Sequence, residues 1–397
     1  MAIHLRGFFI LLFFTFQLSL IGQMDLNVNQ YSGLKSSFGI KAYHSNGVIT
    51  LIPVKQHNGL DVNDLYAYLK KGDVILKASS GSVFFTPGVF LPEGALCKLS
   101  IRARETVDFS TTLRNTAKID VDIRTKGNIN IYASGITSNS GNIHLEGKDI
   151  YIRETGIRTA GGNIEICAAN SILISGSGLD TKDGDVALEC NHLMVEMNGV
   201  QATEGKCNLY IKEQGIIGGV GIKSRAFSGT GKSLVLNGDG LAVSTSVNLN
   251  FSDEVSVLKE GIQMKGWPLY IKAKDLIIGG DEGYGGSGIV TNGGSVKLEV
   301  DNNLTVQARG LYTAKGKIYI RVKNDVWVRF GGITTLNESI YLESIKGKIT
   351  LDGMNLNSRI DQKTNGGKLD TSNINSKKLI LLTEPVVGGG DITIVTH

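Results

Sequence analysis

Proline, cysteine and aromatic residues are scarce in this chain. The 397 residues include 5 prolines and 4 cysteines, and aromatic side chains make up 7%. Because proline interrupts the hydrogen-bonded ladders of a β-sheet, its scarcity permits many ladder-paired strands. No Cys-x-x-Cys pair is present and the 6 histidines show no ligand spacing, so the sequence predicts no metal site or other cofactor.

An excess of charge of one sign is also lacking. The chain has 41 basic and 37 acidic side chains, a formal charge of +4, and no run of like charges. Nucleic-acid binding would need clustered basic charge, so we expect no nucleic-acid partner. Hydrophobic residues make up 41% of the chain, which excludes wholesale disorder.

Long hydrophobic runs are absent after the N-terminus. Residues 8–21 are almost purely apolar, and Gly22 offers a small residue at a cleavage point. This pattern favours a secretory signal peptide over residues 1–22; the alternative, a membrane anchor, needs about 20 apolar residues. We therefore expect the mature chain to be secreted or to lie at the cell surface, without a transmembrane segment.

Glycine is abundant, with 51 residues, and it marks a repeat. The phrase Gly-Asn-Ile-His-Leu at Gly141 recurs as Gly-Asn-Ile-Glu-Ile at Gly162 and as Gly-Asp-Val-Ala-Leu at Gly184, at spacings of 21 and 22 residues. Fainter copies begin at Gly127, Gly205, Gly231, Gly294 and Gly316. A fixed period of this size predicts stacked units that share one continuous core.

Each unit divides into three short strands joined by glycine-rich corners. In the unit that begins at Gly141, the strands are 142–146, 150–153 and 157–159, with a corner at 147–149. Alternation places Ile143 and Leu145 on one face, and no segment of the repeats holds a helical period. The sequence therefore predicts an all-β fold, a parallel β-helix of roughly 13 coils.

Hydroxyl side chains recur on the third strand of the coils. A column of threonines on an outer face would suggest ice binding. Here, however, alternation along the strand places the hydroxyls on the same side as the inward residues. The outward row between them is chemically mixed and cannot match an ice lattice. We therefore predict inward hydroxyls that satisfy one another and the backbone of the corners. The column consists of Ser138, Thr159, Thr181, Ala202, Ser224, Thr291, Thr313 and Thr335.

The second strand carries an unusual outward row. Five of its six identified members are apolar or aromatic, whereas the outward row of the first strand is mostly polar. An apolar stripe on one face indicates a partner surface; the alternative is an idle exposed row, since strands favour such residues anyway. The candidate binding residues are Tyr151, Leu173, Met194, Ile277 and Trp327, with Thr305 as the polar member. A host or cell-surface glycan or protein, or a second copy of the chain, is the expected partner.

Ends and insertions complete the layout. A helix is predicted within 60–72, with Asp61 or Asn63 as N-cap and with Leu65, Tyr68 and Leu69 on one stripe. Residues 23–72 would then form an N-terminal cap region and residues 73–397 the β-helix. Longer repeats after Gly205 and Gly231 predict projecting loops at 246–259 and 279–288. The polar stretch 357–375, or a partner, is expected to cap the far end.

The four cysteines are Cys97, Cys167, Cys190 and Cys207. Three disulfide pairings are open in an exported chain. Cys207 falls at a core position of its repeat, and Cys167 and Cys190 are expected on opposite sides of the wall. Buried free thiols are therefore the favoured prediction.

The repeats resemble those of filamentous haemagglutinin-type adhesins and exoproteins. The resemblance rests on Gly-Asn-Ile-x-Ile, Asp-Ile-x-Ile and Gly-Ile-x-Thr-x-Gly-Gly, and on the segment 64–78, Asp-Leu-x-x-x-Leu-x-x-Gly-Asp-Val-x-Leu-x-Ala. It covers roughly residues 64–335. It implies a right-handed parallel β-helix, export from a Gram-negative cell, and a non-enzymatic role in adhesion or surface scaffolding. The Asn-Pro-Asn motif of the two-partner secretion domain is absent.

A carbohydrate-active enzyme is the alternative, because polysaccharide lyases and glycoside hydrolases also use β-helices. Hydrolysis would need two carboxylates about 5–9.5 Å apart. Glu146 and Glu189 fall in one outward column two coils apart, and Asp253–Glu254 and Asp281–Glu282 are acidic pairs in the predicted loops. No further group joins them into a catalytic constellation, so the sequence favours a non-enzymatic protein.

Overall fold

Parallel β-strands make up most of the described chain and stack into solenoid turns, about 13 in number, which confirms the predicted β-helix. The computed structural model describes residues 24–29, 37–85, 96–109, 113–114, 118–132, 135–154, 156–280, 288–308, 310–330, 332–336, 338–352, 356–359, 368–375, 377–381, 386–387 and 391–397. The predicted signal peptide lies outside these residues. The chain divides into two compact units, 1–151 and 152–397.

The first unit contains the helix and the first coils. Its helix is α1 (Val62–Leu69). Its strands are β1 (Leu26–Asn29), β2 (Ile40–Ser45), β3 (Val48–Pro53), β4 (Leu60–Asp61), β5 (Asp73–Ala78), β6 (Val83–Phe85), β7 (Leu99–Ala103), β8 (Val107–Phe109), β9 (Leu113–Arg114), β10 (Val121–Thr125), β11 (Ile129–Ile131), β12 (Ile136–Ser138) and β13 (Ile143–Ile152), whose last residue belongs to the second unit.

The second unit contains only strands among its described residues. They are β14 (Ile157–Thr159), β15 (Ile164–Ile174), β16 (Leu179–Thr181), β17 (Val186–Val195), β18 (Val200–Ile217), β19 (Ile222–Leu236), β20 (Leu241–Val243), β21 (Val247–Phe251), β22 (Glu254–Val257), β23 (Ile262–Met264), β24 (Leu269–Ala273), β25 (Asp275–Ile278), β26 (Ile289–Thr291), β27 (Val296–Val300), β28 (Leu304–Val306), β29 (Leu311–Thr313), β30 (Ile318–Val322), β31 (Val326–Arg329), β32 (Ile333–Leu336), β33 (Ile340–Ser344), β34 (Ile349–Asp352), β35 (Leu356–Arg359), β36 (Leu369–Asp370), β37 (Leu379–Leu381), β38 (Val386–Val387) and β39 (Ile392–Thr396).

The helix matches its sequence prediction closely. Asp61 is the N-cap, and its carboxylate accepts a 2.8 Å hydrogen bond from the backbone N–H of Asn63. Leu65 and Leu69 are buried, whereas Tyr68 is half-buried. The 23–72 segment also contributes strands: β1 pairs in parallel with β6, and β2 and β3 form an antiparallel hairpin. Asn46 and Gly47, both with positive φ, make its turn.

Aliphatic side chains fill the interior of the coils. In the second unit, Ile164 stacks in register on Val186 and Val186 on Cys207, and all three are buried. The hydroxyl column also points inward as predicted. Thr291 Oγ1 donates to Thr313 Oγ1 at 2.8 Å, and Thr159 Oγ1 donates to the carbonyl of Gly162 at 3.0 Å. These hydroxyls therefore stabilise the corners and present no outward face.

The asparagine or aspartate of the repeat phrase also has a structural role. Asp185 donates its backbone N–H to Asn163 Oδ1 at 2.9 Å, and Lys206 donates to Asp185 Oδ1 at 2.7 Å. In the first unit Asn142 N–H donates to Asp120 Oδ1 in the same way. Each side chain thus caps the strand start of the next coil.

Glycine is required at the corner before the third strand. Gly221 and Gly310 have φ values of +53° and +50°, and a Cβ on either would lie 2.3–2.4 Å from a carbonyl oxygen of the next coil. Both the left-handed backbone and the close approach exclude larger residues. The phrase Gly-Ile or Gly-Leu at this corner recurs in nearly every coil of the second unit.

Two sequence predictions about the coil phase were wrong. Gly231 does not begin a coil, because it pairs in register with Ile211 and Phe251 inside the wall. The segment 246–259 is not a projecting loop: it forms β21 and β22, which pair in parallel with β24 and β25. Most of the second predicted loop, 281–287, lies outside the described residues.

The C-terminal strand is inserted out of sequence order. Strand β39 pairs in parallel with β33 on one side, Ile340 with Ile392, and with β36 on the other, Leu369 with Ile392. The strand β36 therefore covers the edge of β39 that would otherwise be open. It belongs to the polar stretch from which a cap was predicted.

Candidate interaction surface

The outward row of the second strand is continuous through the whole second unit. Register pairs link one outward residue per coil, and seven of the ten are apolar or aromatic. We call this set the apolar column: Leu173, Met194, Ile216, Val235, Ser256, Ile277, Thr305, Trp327, Thr350 and Ile380. It brings together Leu173, Met194, Ile277 and Trp327, which the sequence had selected.

Three members of the apolar column are exposed. Met194 and Ile380 are each 39% exposed and Trp327 is 41% exposed, whereas most other members are half-buried. The guanidinium carbon of Arg329 lies 3.6 Å from the centroid of the Trp327 ring, so one face of the indole is covered by a cation–π contact. Ser256 is buried, and its hydroxyl donates to Glu254 Oε1 at 2.5 Å.

Two exposed apolar residues in strained conformations extend the same coils. Met197 is 64% exposed with φ +58°, and Phe330 is 46% exposed with φ +57°. The matching corner position has positive φ in other coils too, where it holds Gly176, Gly219, Gly238, Lys259 and Ala308. A non-glycine residue in this region costs roughly 1–2 kcal/mol. Each lies three residues after an exposed member of the apolar column, which widens the apolar surface there.

Tyr151 lies in the first unit and is half-buried on β13. The outward row of the second strand in that unit is more polar than the apolar column. It runs in register through Asn27, Phe84, Asp108 and Asn130. Only Phe84 in this row is apolar, so the apolar character belongs chiefly to the second unit.

The outward row of the first strand has a different composition. This first-sheet column consists of Glu165, Ala187, Asn208, Ser228, Asn248, Tyr270, Lys297, Tyr319, Tyr341 and Thr393. Its early coils are polar, as the sequence indicated, but its later coils carry three tyrosines. The hydroxyl of Tyr270 donates to Glu299 Oε2 at 2.6 Å. Burial, together with this hydrogen bond, raises the pKa of Tyr270 to about 12.

The carboxylates considered for catalysis lie in ordinary surface ion pairs. Glu146 pairs with Arg124 at 3.2 Å, and Glu189 pairs with Lys212 at 3.2 Å. Asp253 pairs with Lys274 at 3.3 Å. Asp281 and Glu282 lie outside the described residues. Exposed pairs of this kind contribute little energy to the fold.

The described cysteines are all free, and two of them are buried as predicted. Burial raises the pKa of both Cys190 and Cys207 to about 12, which keeps these thiols protonated and unreactive. Cys97 and Cys167 are half-buried. No group of three or more His, Cys, Asp or Glu side chains that could hold a metal ion occurs among the described residues.

Sequence reasoning missed part of the surface. Ile216, Val235 and Ile380 belong to the apolar column, and Met197 and Phe330 border it. The sequence signal for Ile216 and Val235 is the Gly-Ile or Gly-Leu corner that follows each of them, at Gly221 and Gly240. These corners mark the position of each coil where the Gly-Asn-Ile phrase is missing.

No described helix is long and apolar enough to cross a membrane. Comparisons of the chain with family models, with curated proteins and with solved structures found no match.

Proposed function

We propose that this chain is an exported, non-enzymatic protein that acts at the cell surface as an adhesin or scaffold of the filamentous haemagglutinin type. The observation that carries the proposal is the apolar column, which continues through ten coils of the second unit. At about 4.8 Å per coil, a row of ten spans on the order of 40 Å. Because the parallel ladder sets the spacing of its members, a row of that length offers a partner a long, preorganised contact line.

The composition of the row favours a partner over an idle surface. Strands accept exposed aliphatic residues, but such preference does not account for Met197 and Phe330, which are exposed in strained corner conformations. Lys259 and Ala308 share this corner conformation, so what distinguishes Met197 and Phe330 is the large apolar side chain that each exposes there. Apolar contact with a partner supplies a reason to keep them.

The partner of this surface is a protein rather than a sugar. Leu173, Ile216, Val235 and Ile277 lack the hydroxyl, amide and carboxyl groups that hydrogen-bond to sugar hydroxyls. Aliphatic and aromatic side chains bordered by polar ones are typical of protein interfaces. Contact with a surface protein of the target cell would serve adhesion, and contact with a second copy would serve scaffolding.

The test is a triple variant, Tyr151→Thr, Met194→Thr and Trp327→Thr, in the mature chain. We expect cell adhesion or self-association to fall at least tenfold, while circular dichroism and melting temperature stay near those of the parent, because all three side chains point outward. The matched control is Tyr43→Thr, Tyr210→Thr and Tyr312→Thr, which removes three outward aromatics elsewhere. Unchanged binding by the folded triple variant would remove this surface from consideration.

The alternative, a polysaccharide lyase or glycoside hydrolase, gains no specific support from the carboxylates. Glu146 and Glu189 each have a cationic partner and about half-exposed side chains. Release of reducing ends from a polysaccharide panel by the purified chain would favour that alternative over adhesion.

A further inference from the structure

A groove lies on the outer face of the first sheet where the C-terminal strand is inserted. Its floor is formed by β33 and β39, and its side by residues 372–375, which follow β36. Thr396 N–H donates to the carbonyl of Asn373 at 3.0 Å, and Asn375 N–H donates to Thr396 Oγ1 at 2.7 Å. These bonds hold the side of the groove against its floor. The volume is about 760 Å³.

An aromatic ring forms one end of the groove. Tyr319 and Tyr341 stack with ring centroids 4.9 Å apart and planes 3° from parallel. The next residue in this column is Thr393, in register with Tyr341. Because threonine is much smaller than tyrosine, the stack ends there, and the second face of Tyr341 borders the groove. A flat apolar face at the end of a polar groove is suited to stack on the C–H face of a sugar ring.

A buried carboxylate lies beside that ring. The Glu343 side chain is only 9% exposed, its Oε2 lies 3.2 Å from Arg321 Nε, and its Oε1 lies 2.9 Å from His397 Nε2. The two partners fix the orientation of the carboxylate, and Arg321 balances its charge. Burial and the charge of the nearby Glu343 raise the pKa of Tyr341, so its hydroxyl stays protonated.

Neutral polar groups line the rest of the groove. Among the described residues, the Asn373 amide and the Thr393 hydroxyl have no hydrogen-bond partner, although both line the space. Amide and hydroxyl groups donate and accept at once, as sugar hydroxyls do. Excess positive charge, which an acidic sugar would need, is absent from the lining.

We propose that this groove binds a short neutral oligosaccharide, with one ring stacked on Tyr341 and its hydroxyls bonded to Asn373, Thr393 and Glu343. Ligand sites are typically clefts of about 300–1,000 Å³ in which apolar or aromatic side chains are combined with a few placed polar groups. The site lies on the first sheet and shares no residue with the apolar column, so either can fail without the other.

The experiment is a printed array of neutral and acidic oligosaccharides probed with the full mature chain, followed by calorimetry with the best-bound glycan. We expect binding to at least one neutral oligosaccharide and a loss of at least tenfold in affinity for Tyr341→Ala. The matched control is Tyr312→Ala, a half-buried outward tyrosine of the third strand, which should bind as the parent does.

A second variant guards against misfolding of the first. Thr393→Trp adds a ring over the open face of Tyr341 and fills the groove without removing any core contact, so it should also abolish binding. The proposal is overturned if no neutral glycan binds, if only acidic glycans bind, or if folded Thr393→Trp binds as well as the parent. None of these variants touches Met194 or Trp327, so adhesion through the apolar column should be unaffected.

Discussion

In the 152–397 unit, the first strands of the coils stack into a first sheet and the second strands into a second sheet. The two sheets have the same kind of inner face but different outer faces. Inside, both consist of stacked aliphatic residues such as Ile166 and Val195, which are fully buried. Outside, the first sheet carries ion pairs and tyrosines, including Arg321 with Glu343, whereas the second carries the apolar column. The shared interior is what the solenoid requires. The difference between the outer faces is not required by the fold, so it is where function is to be sought.

The largest effect on stability should come from placing a charged residue at an inward position of a strand. Ile166→Asp places an unpaired charge in the buried ladder of β15, and we expect a loss of about 3–5 kcal/mol in the free energy of unfolding. The control, Glu165→Ala, changes the adjacent outward residue and should cost less than about 0.5 kcal/mol. Urea unfolding followed by circular dichroism measures both. Similar losses for the two variants would contradict the inward assignment of Ile166.

An intermediate loss of stability is expected when a charged residue of an outer face, rather than a member of the apolar column, is replaced. In the first unit Asp122 is buried and contacts Arg102 at 2.7 Å and Arg124 at 3.1 Å. Burial alone would raise its pKa, but the hydrogen bonds from these arginines outweigh it and lower the pKa from 3.8 to about 2. Asp122→Asn should therefore cost about 1–2 kcal/mol at pH 7, after allowing for the partly exposed arginines.

The stabilisation by the Asp122 carboxylate should depend on pH in a definite direction. Because the folded pKa lies below the unfolded value, the stabilisation is complete above pH 3.8 and is lost as pH falls through about 2. The unfolding free energies of the parent and Asp122→Asn should therefore converge near pH 2. Trp327→Thr, on the apolar face, should differ from the parent by the same amount across this range. A constant difference for Asp122→Asn would show that the arginines do not stabilise the carboxylate.

The smallest change in stability is expected at the border of the apolar column. Phe330→Gly relieves a left-handed conformation, and we expect anything from no change to a gain of about 1 kcal/mol in unfolding free energy, together with weaker partner binding. Ala308→Gly, with φ +55°, is the control: it relieves the same strain without removing an exposed aromatic ring. A loss of more than about 1 kcal/mol for Phe330→Gly would mean that Phe330 has a packing role instead.

Local patterns in the sequence were enough to place individual side chains. Alternation predicted that Ile143 and Leu145 point inward, and both are buried. Alternation along the third strand correctly predicted that Thr313 and Thr335 point inward. Asp61 as a candidate N-cap correctly predicted the start of the helix. These predictions depend on neighbours two to four residues away, for which backbone geometry fixes the direction of each side chain.

Coil phase was harder to predict because the corners vary in length. Gly231 matched the repeat phrase, yet the first-strand core residues are Phe227 and then Val247, 20 residues on. Because the prediction began a coil at Gly231, it missed the coils that contain β21 and β24 and assigned these wall strands to a loop. The corner glycines Gly221 and Gly240 would have kept the count, because their positive φ makes them harder to replace.

The sequence by itself determined which residues are inside and which are outside, because a strand turns each successive side chain to the opposite face. Only the tertiary structure decided which outward residues become neighbours, since pairing between coils depends on corner lengths and on contacts about 20 residues or more apart. It joined Ile216 and Val235 to Met194 in the apolar column. It also inserted β39 between β33 and β36, which ended the tyrosine stack at Thr393 and opened the groove.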